Sequence, residues 1–195
     1  MNRRELLQKS ALMIGGTLAG ADSLLAKNIH WEAMDSDVID EEGIGIFSKA
    51  QIKLINEVAD TIIPTTDTPG AKAAKAGQFI AVVISDCYDA EGQQNFLDGL
   101  TTLDQACKKA NRKTFMRCSK LQKHDLLVKL DDEQKAFYED KNRPTGNHYF
   151  RAMKDLVLWA YFTSEIGATQ ALRFVEYPGR YETIDYKKGD RAFSS

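Results

Sequence analysis

Most of the short motifs that announce chemistry are missing from this 195-residue chain. His30, His124 and His148 are its only histidines, and no His-x-x-His or His-x-x-x-His spacing or neighbouring cysteine pair accompanies them, which leaves no local zinc signature. Cys87, Cys107 and Cys118 lack the Cys-x-x-Cys spacing of redox and iron–sulfur sites. There is neither a Gly-x-Gly-x-x-Gly nor a Walker loop, so a nucleotide site is unsupported. No run of about 18 apolar residues is present, so nothing in the chain reads as a membrane span. Charge of one sign is lacking too: 26 Lys+Arg stand against 28 Asp+Glu, a net charge of -2 that offers no footprint for a polyphosphate backbone. Nucleic acid is not an expected partner. What remains is the composition of an ordinary globular protein, 43% hydrophobic and 28% charged.

The N-terminus reads as an address. Met1 to Lys9 carries paired Arg3 and Arg4, and Ala11 to Ala21 follows as an uncharged, weakly apolar stretch of eleven residues. That is too short to cross ~30 Å of hydrocarbon, and it closes in Ala19-Gly20-Ala21, the small-x-small pattern of a signal-peptidase site. Paired arginines before a mild h-region resemble a twin-arginine (Tat) export signal, the route of proteins that cross a membrane already folded. Asn2 stands where Ser or Thr is usual there, and Leu6 where Phe is common. The expected division is therefore a signal peptide over 1–21 and a single helical domain with a C-terminal arm over 22–195. Cleavage would leave a net charge of -4 and an odd number of cysteines in a disulfide-permitting compartment. An intramolecular pair with one thiol left over and three buried free thiols both fit.

Beyond the leader, helical periodicity dominates. Ser48-Lys49-Ala50-Gln51 is a capping box, followed by Ile52, Ile55, Val58, Ala59, Ile62 and Ile63 at helical spacing up to Pro64. Pro64 to Gly70 has turn chemistry, with Pro69-Gly70 suited to the centre of a type II turn. From Gln78, the positions Phe79, Val82, Val83 and Cys87 read as a helix face, and Phe96, Leu100, Leu103, Cys107 and Ala110 form a second continuous stripe over Glu91 to Ala110. A second capping box, Ser119 to Gln122, precedes Leu126, Leu127 and Leu130. Asp131-Asp132-Glu133 suits the start of another short helix, as a solvated cap and not as paired catalytic carboxylates. Pro144 and Gly146 break the chain before His148 to Thr163, a strongly apolar stretch expected as the central helix. The fold class is all-α: an irregular helical bundle with extended arms over Asn28 to Phe47 and Arg173 to Ser195.

Three features come together in order along the mature chain: Ala59-Asp60-Thr61-Ile62-Ile63-Pro64-Thr65-Thr66-Asp67-Thr68-Pro69-Gly70-Ala71, then Tyr161 to Gln170, then Pro178-Gly179-Arg180-Tyr181. With the twin-arginine leader, they resemble the gluconate 2-dehydrogenase subunit 3 family. The resemblance implies a small, cofactor-free, non-catalytic subunit of a membrane-associated sugar or sugar-acid dehydrogenase. Its implied partner is a large flavoprotein of the glucose-methanol-choline (GMC) class carrying FAD, often with an iron–sulfur cluster. A multi-haem cytochrome c subunit is frequently a third component, passing electrons to the quinone pool. The implied location is the periplasm, reached through the Tat translocase, with membrane association only through the complex.

Arg3 and Arg4 are then the export signal, and the candidate docking residues are Pro64, Asp67, Pro69 and Gly70, then Thr163, Ser164 and Glu165, then Tyr177, Pro178, Gly179, Arg180 and Tyr181. Each segment has a plainer reading as a loop that closes the helical body, although Tyr and Arg are enriched at interface centres. Two rival functions remain: an independent exported hydrolase built on Ser164 with a distant His148 or His124, and a solitary ligand-binding protein of the envelope.

Overall fold

The computed structural model describes residues 43–143, 147–177, 179, 183, 185 and 187–194, all within the compact unit Ile39–Ser195. The expected signal peptide over 1–21 with Arg3 and Arg4, most of the N-terminal arm, and Pro178, Arg180 and Tyr181 lie outside the described residues. Among the described residues there are five α-helices: α1 (Lys49–Ile62), α2 (Ala76–Cys87), α3 (Ala90–Asn111), α4 (Lys120–Glu139) and α5 (Tyr149–Phe162). A 3-10 turn (Phe115–Arg117), a π-turn (Gly167–Ala171) and two strands of two residues, β1 (Arg173–Phe174) and β2 (Phe193–Ser194), complete the set. The architecture is the expected all-α bundle.

Helix starts are set by side chains that satisfy the otherwise orphaned first N–H groups. Both capping boxes form: the Ser48 hydroxyl accepts from the Gln51 N–H while Gln51 Oε1 accepts from the Ser48 N–H at 2.9 Å, and Ser119 and Gln122 repeat the arrangement. Asp89 caps α3 by accepting from the Gly92 N–H at 2.8 Å. Helix α2 has no cap of its own; Asn56 of α1 accepts from the Gly77 N–H at 2.9 Å and donates to Gln78 Oε1 at 3.0 Å, so its N-terminus is capped from the neighbouring helix. A methyl group on Gly77 would sit 2.7 Å from the Asn56 amide, which is why glycine occupies that position.

The core follows from these placements. Helix α5 contributes buried Phe150, Met153, Leu156, Val157, Ala160 and Tyr161 and touches each of α1 to α4, the central position expected from its apolar density. Phe47, just ahead of α1, is buried and meets Phe96 of α3 edge-on at 5.8 Å, so the end of the N-terminal arm belongs to the core.

Four local expectations are corrected. The buried face of α2 is Ile80, Ala81, Val83 and Ile84, while Phe79, Val82 and Cys87 of the expected stripe are exposed. This helix is apolar nearly all round, so periodicity does not choose its inner face; the Asn56 cap and packing on α1 do. Ala110, at the end of the α3 stripe, is exposed. Asp131-Asp132-Glu133 does not open a helix: α4 runs through it without a break to Glu139. Nothing there disrupts the backbone, and Asp131 is held by Lys135 at 2.8 Å and by Lys154 of α5 at 2.5 Å. Those two ammonium groups, Lys135 first, hold the Asp131 carboxyl down at about 2. Finally, Gly70 is not in a left-handed conformation, so Pro69-Gly70 is not the centre of a type II turn. Space is the constraint there: a Cβ on Gly70 would lie 2.6 Å from both the Ile63 carbonyl oxygen and the Thr65 nitrogen.

Candidate functional site

Two of the three expected docking segments meet at one end of the bundle. The loop after α1 is tied back on itself by the Ala71 N–H donating to the Ile63 carbonyl at 3.0 Å and the Gly70 N–H donating to Thr65 Oγ1 at 3.1 Å. Tyr161, near the end of α5, donates its phenolic hydrogen to the Pro69 carbonyl at 2.8 Å. The loop therefore has an inner half, Pro69 and Gly70, that closes the body, and an outer half, Pro64 to Asp67, that faces solvent. Asp67 is held below the usual carboxylate range first by the Thr66 hydroxyl, with Arg191 of the C-terminal arm also pulling it down.

Thr163, Ser164 and Glu165 are not a plain turn. Thr163 donates to the Trp159 carbonyl at 2.7 Å, and the chain passes into the π-turn Gly167–Ala171, which sequence reading missed. Gly167 makes this geometry feasible: a Cβ would lie 1.9 Å from the Tyr161 carbonyl oxygen. Ser164 Oγ donates to that same carbonyl at 2.6 Å and accepts from the Gly167 N–H at 3.0 Å, so its hydroxyl is committed to capping. His148 caps the opposite end of the 14-residue α5, about 20 Å along the axis, accepting the Phe150 N–H on Nδ1 at 3.3 Å; burial lowers its pKa. His124 is exposed on α4 beside Asp125. Ser164 and His148 therefore form no hydrolase pair, and no group of three His, Cys, Asp or Glu that could hold a metal occurs among the described residues.

The arm itself doubles back. β1 and β2 pair in parallel, Arg173 with Phe193 and Phe174 with Ser194, and the Arg173 guanidinium lies 4.8 Å from the centre of the Phe193 ring. Phe174, Phe193 and Tyr177 stay exposed, Tyr177 to 83%, and Gly179 takes a left-handed φ of 68°.

Sequence reading missed a second surface. Phe79 and Val82 of α2 face outward beside Trp159 and Phe162 of α5, with Phe79 and Trp159 edge-on at 5.2 Å. Spacings of three place each pair on one helix face, so the four side chains form a continuous apolar strip; Trp159 alone is 49% exposed. Trp159 also closes one end of an open groove of about 670 Å³ that runs along α5 past Leu156, Asp155 and Arg151, with Tyr88 and Tyr138 as aromatic walls. The available signal was an excess: α2 and α5 carry more large apolar residues than one face can bury.

Fold and surface together define a helical-bundle protein that carries exposed aromatic and apolar side chains, residue types enriched in interface cores. Among the described residues no helix is long and apolar enough to cross a membrane. The chain belongs to the gluconate 2-dehydrogenase subunit 3 family, whose model matches residues 49–179, and is thus a member of a family of dehydrogenase-complex subunits. No curated protein and no solved structure matches it.

Proposed function

We propose that this chain is the non-catalytic small subunit of a periplasmic, FAD-dependent dehydrogenase of sugars or sugar acids. In this reading Arg3 and Arg4 supply the Tat export signal for the whole complex, and the mature domain stabilises a large GMC-type flavoprotein. FAD, with an iron–sulfur cluster in some complexes, resides in that partner and not in this chain. A multi-haem cytochrome c subunit would carry electrons onward and hold the complex at the inner membrane.

The observation that carries the proposal is the exposed strip of Phe79, Val82, Trp159 and Phe162 on a chain whose family is one of subunits. Leaving such side chains in water forgoes about 25 cal/mol for each Å² of apolar surface that a partner would cover. Three further exposed features are consistent with docking: the outer half of the loop at Pro64 and Asp67, the turn at Thr163 to Glu165, and the arm at Tyr177 and Gly179. Pro69 and Gly70 act instead from behind, by holding that loop in place. Export of a cofactor-loaded heterodimer calls for a folded-protein route, and one leader can serve two chains.

The test is the double substitution Arg3→Lys with Arg4→Lys, expressed with the large subunit. Dehydrogenase activity is expected to move from the periplasmic to the cytoplasmic fraction. Undiminished periplasmic activity would remove the export role.

A further inference from the structure

Cys107 and Cys118 lie on either side of the α3–α4 connection and are brought together by its backbone. Helix α3 ends at Asn111 and is capped by Arg112, whose left-handed φ of 54° turns the chain out of the helix. The Phe115 N–H then donates to Asp104 Oδ1 at 2.8 Å, laying the 3-10 turn against the last turns of α3. Phe115 is fully buried, and the Cys118 N–H closes the turn on its carbonyl at 3.2 Å. Cys118 is thereby set beside Cys107, with Sγ–Sγ at 3.1 Å, just ahead of the Ser119 cap of α4. Cys87, at the end of α2, is exposed and separate from the pair.

We infer that Cys107 and Cys118 are a built disulfide site, which closes in an oxidising environment and staples the end of α3 to the start of α4. A covalent S–S bond of about 2.05 Å requires the sulfurs to approach by only about 1 Å. The oxidant is a disulfide donor such as oxidised glutathione. Cys118, slightly exposed where Cys107 is fully buried, loses its proton and attacks one donor sulfur, releasing one thiol. Cys107 then loses its proton and attacks Sγ of Cys118, expelling the second thiol. Two protein thiols and one donor disulfide become one protein disulfide and two donor thiols. Burial, with the neighbouring Cys118 next, raises the Cys107 thiol to about 11, so the second step is slow at neutral pH without local opening.

The site is independent of the proposed partner and of the export route, because it needs only this chain and a chemical oxidant. The experiment uses the purified full chain, incubated with oxidised glutathione, denatured, and alkylated with a maleimide for intact mass. Cys107 and Cys118 are expected to become closed to the maleimide without gaining glutathione, whatever the exposed Cys87 exchanges, where the reduced protein shows three accessible thiols, and a proteolytic peptide should link Cys107 to Cys118. Cys87→Ser should leave the linkage intact, and the oxidised wild-type chain should melt about 5–10 °C above the same chain kept reduced, the effect of closing a loop of this length. Comparing two redox states of one sequence avoids any variant that fails to fold. Reduced-like reactivity of Cys107 and Cys118 after oxidation, or a disulfide joining either of them to Cys87, would overturn the inference.

Discussion

Replacing Lys123 by Met isolates the most deeply buried charge among the described residues. Its side chain is 8% exposed, its ammonium lies 2.7 Å from Glu57 Oε1, and it stands 5.7 Å from the centre of the Phe115 ring. Met keeps the apolar stem and removes the charge. Glu57 is then left with Lys72, 3.3 Å away on a side chain 58% exposed. Breaking a buried pair from one side costs about 3–5 kcal/mol, and the residual Lys72 contact with partial hydration of Glu57 brings the expectation to about 2 kcal/mol. Adding Glu57→Gln should cost less than the sum of the single changes, because no uncompensated carboxylate remains. The pH dependence has a definite sign. Glu57 is held below its ordinary 4.5, first by the Lys123 hydrogen bond and against an opposing push from burial. Its stabilisation is therefore complete above about pH 4.5 and is lost as pH falls through the lower folded value. In Lys123→Met the main downward pull is gone and burial remains, so this acid-side loss should shrink. Urea unfolding at pH 7 and pH 4 reads both effects. A single-substitution cost below about 0.5 kcal/mol at pH 7, or strictly additive costs in the double variant, would refute the reasoning.

Two further outcomes follow from the same geometry. Gly167→Ala should lower Tm by several degrees, because its methyl would strike the Tyr161 carbonyl 1.9 Å away; an unchanged Tm would contradict the π-turn. Trp159→Glu with Phe162→Glu should reduce recovery of the large subunit in affinity purification at least tenfold while leaving Tm within a few degrees, since both side chains already face solvent; unchanged recovery would remove the α2/α5 strip as the docking face.

Helix existence and most helix boundaries were legible because they depend on local chemistry. Ser48 with Gln51 and Ser119 with Gln122 announce α1 and α4, and both capping boxes form. What failed was the choice of face and of continuity, which local pattern does not determine. Phe79 and Ile80 are equally apolar, and packing on α1 with its Asn56 cap decides which points inward. The acidic run at Asp131 looked like a helix start because its partner, Lys154, is 23 positions away in the sequence. The segment around Pro69-Gly70 was legible as a loop but not as a close approach to Ile63, since that depends on where the chain goes next. Of the candidate docking residues, Asp67 and Tyr177 are exposed as an interface requires, while Gly70 is buried and Ser164 is committed to a cap. The Phe79 to Phe162 strip escaped notice because an exposed aromatic and a core aromatic are the same letter in a periodic pattern.

The central claim, that this chain is a supporting subunit of a flavoprotein, is tested most directly by purifying the tagged chain from its native host and recording the absorbance spectrum and the masses of its companions. The expected result is a stoichiometric large chain with a flavin band, dehydrogenase activity in that complex, and none in the chain separated from it. A colourless, solitary chain at matched expression, or substrate turnover by the separated chain, would contradict it.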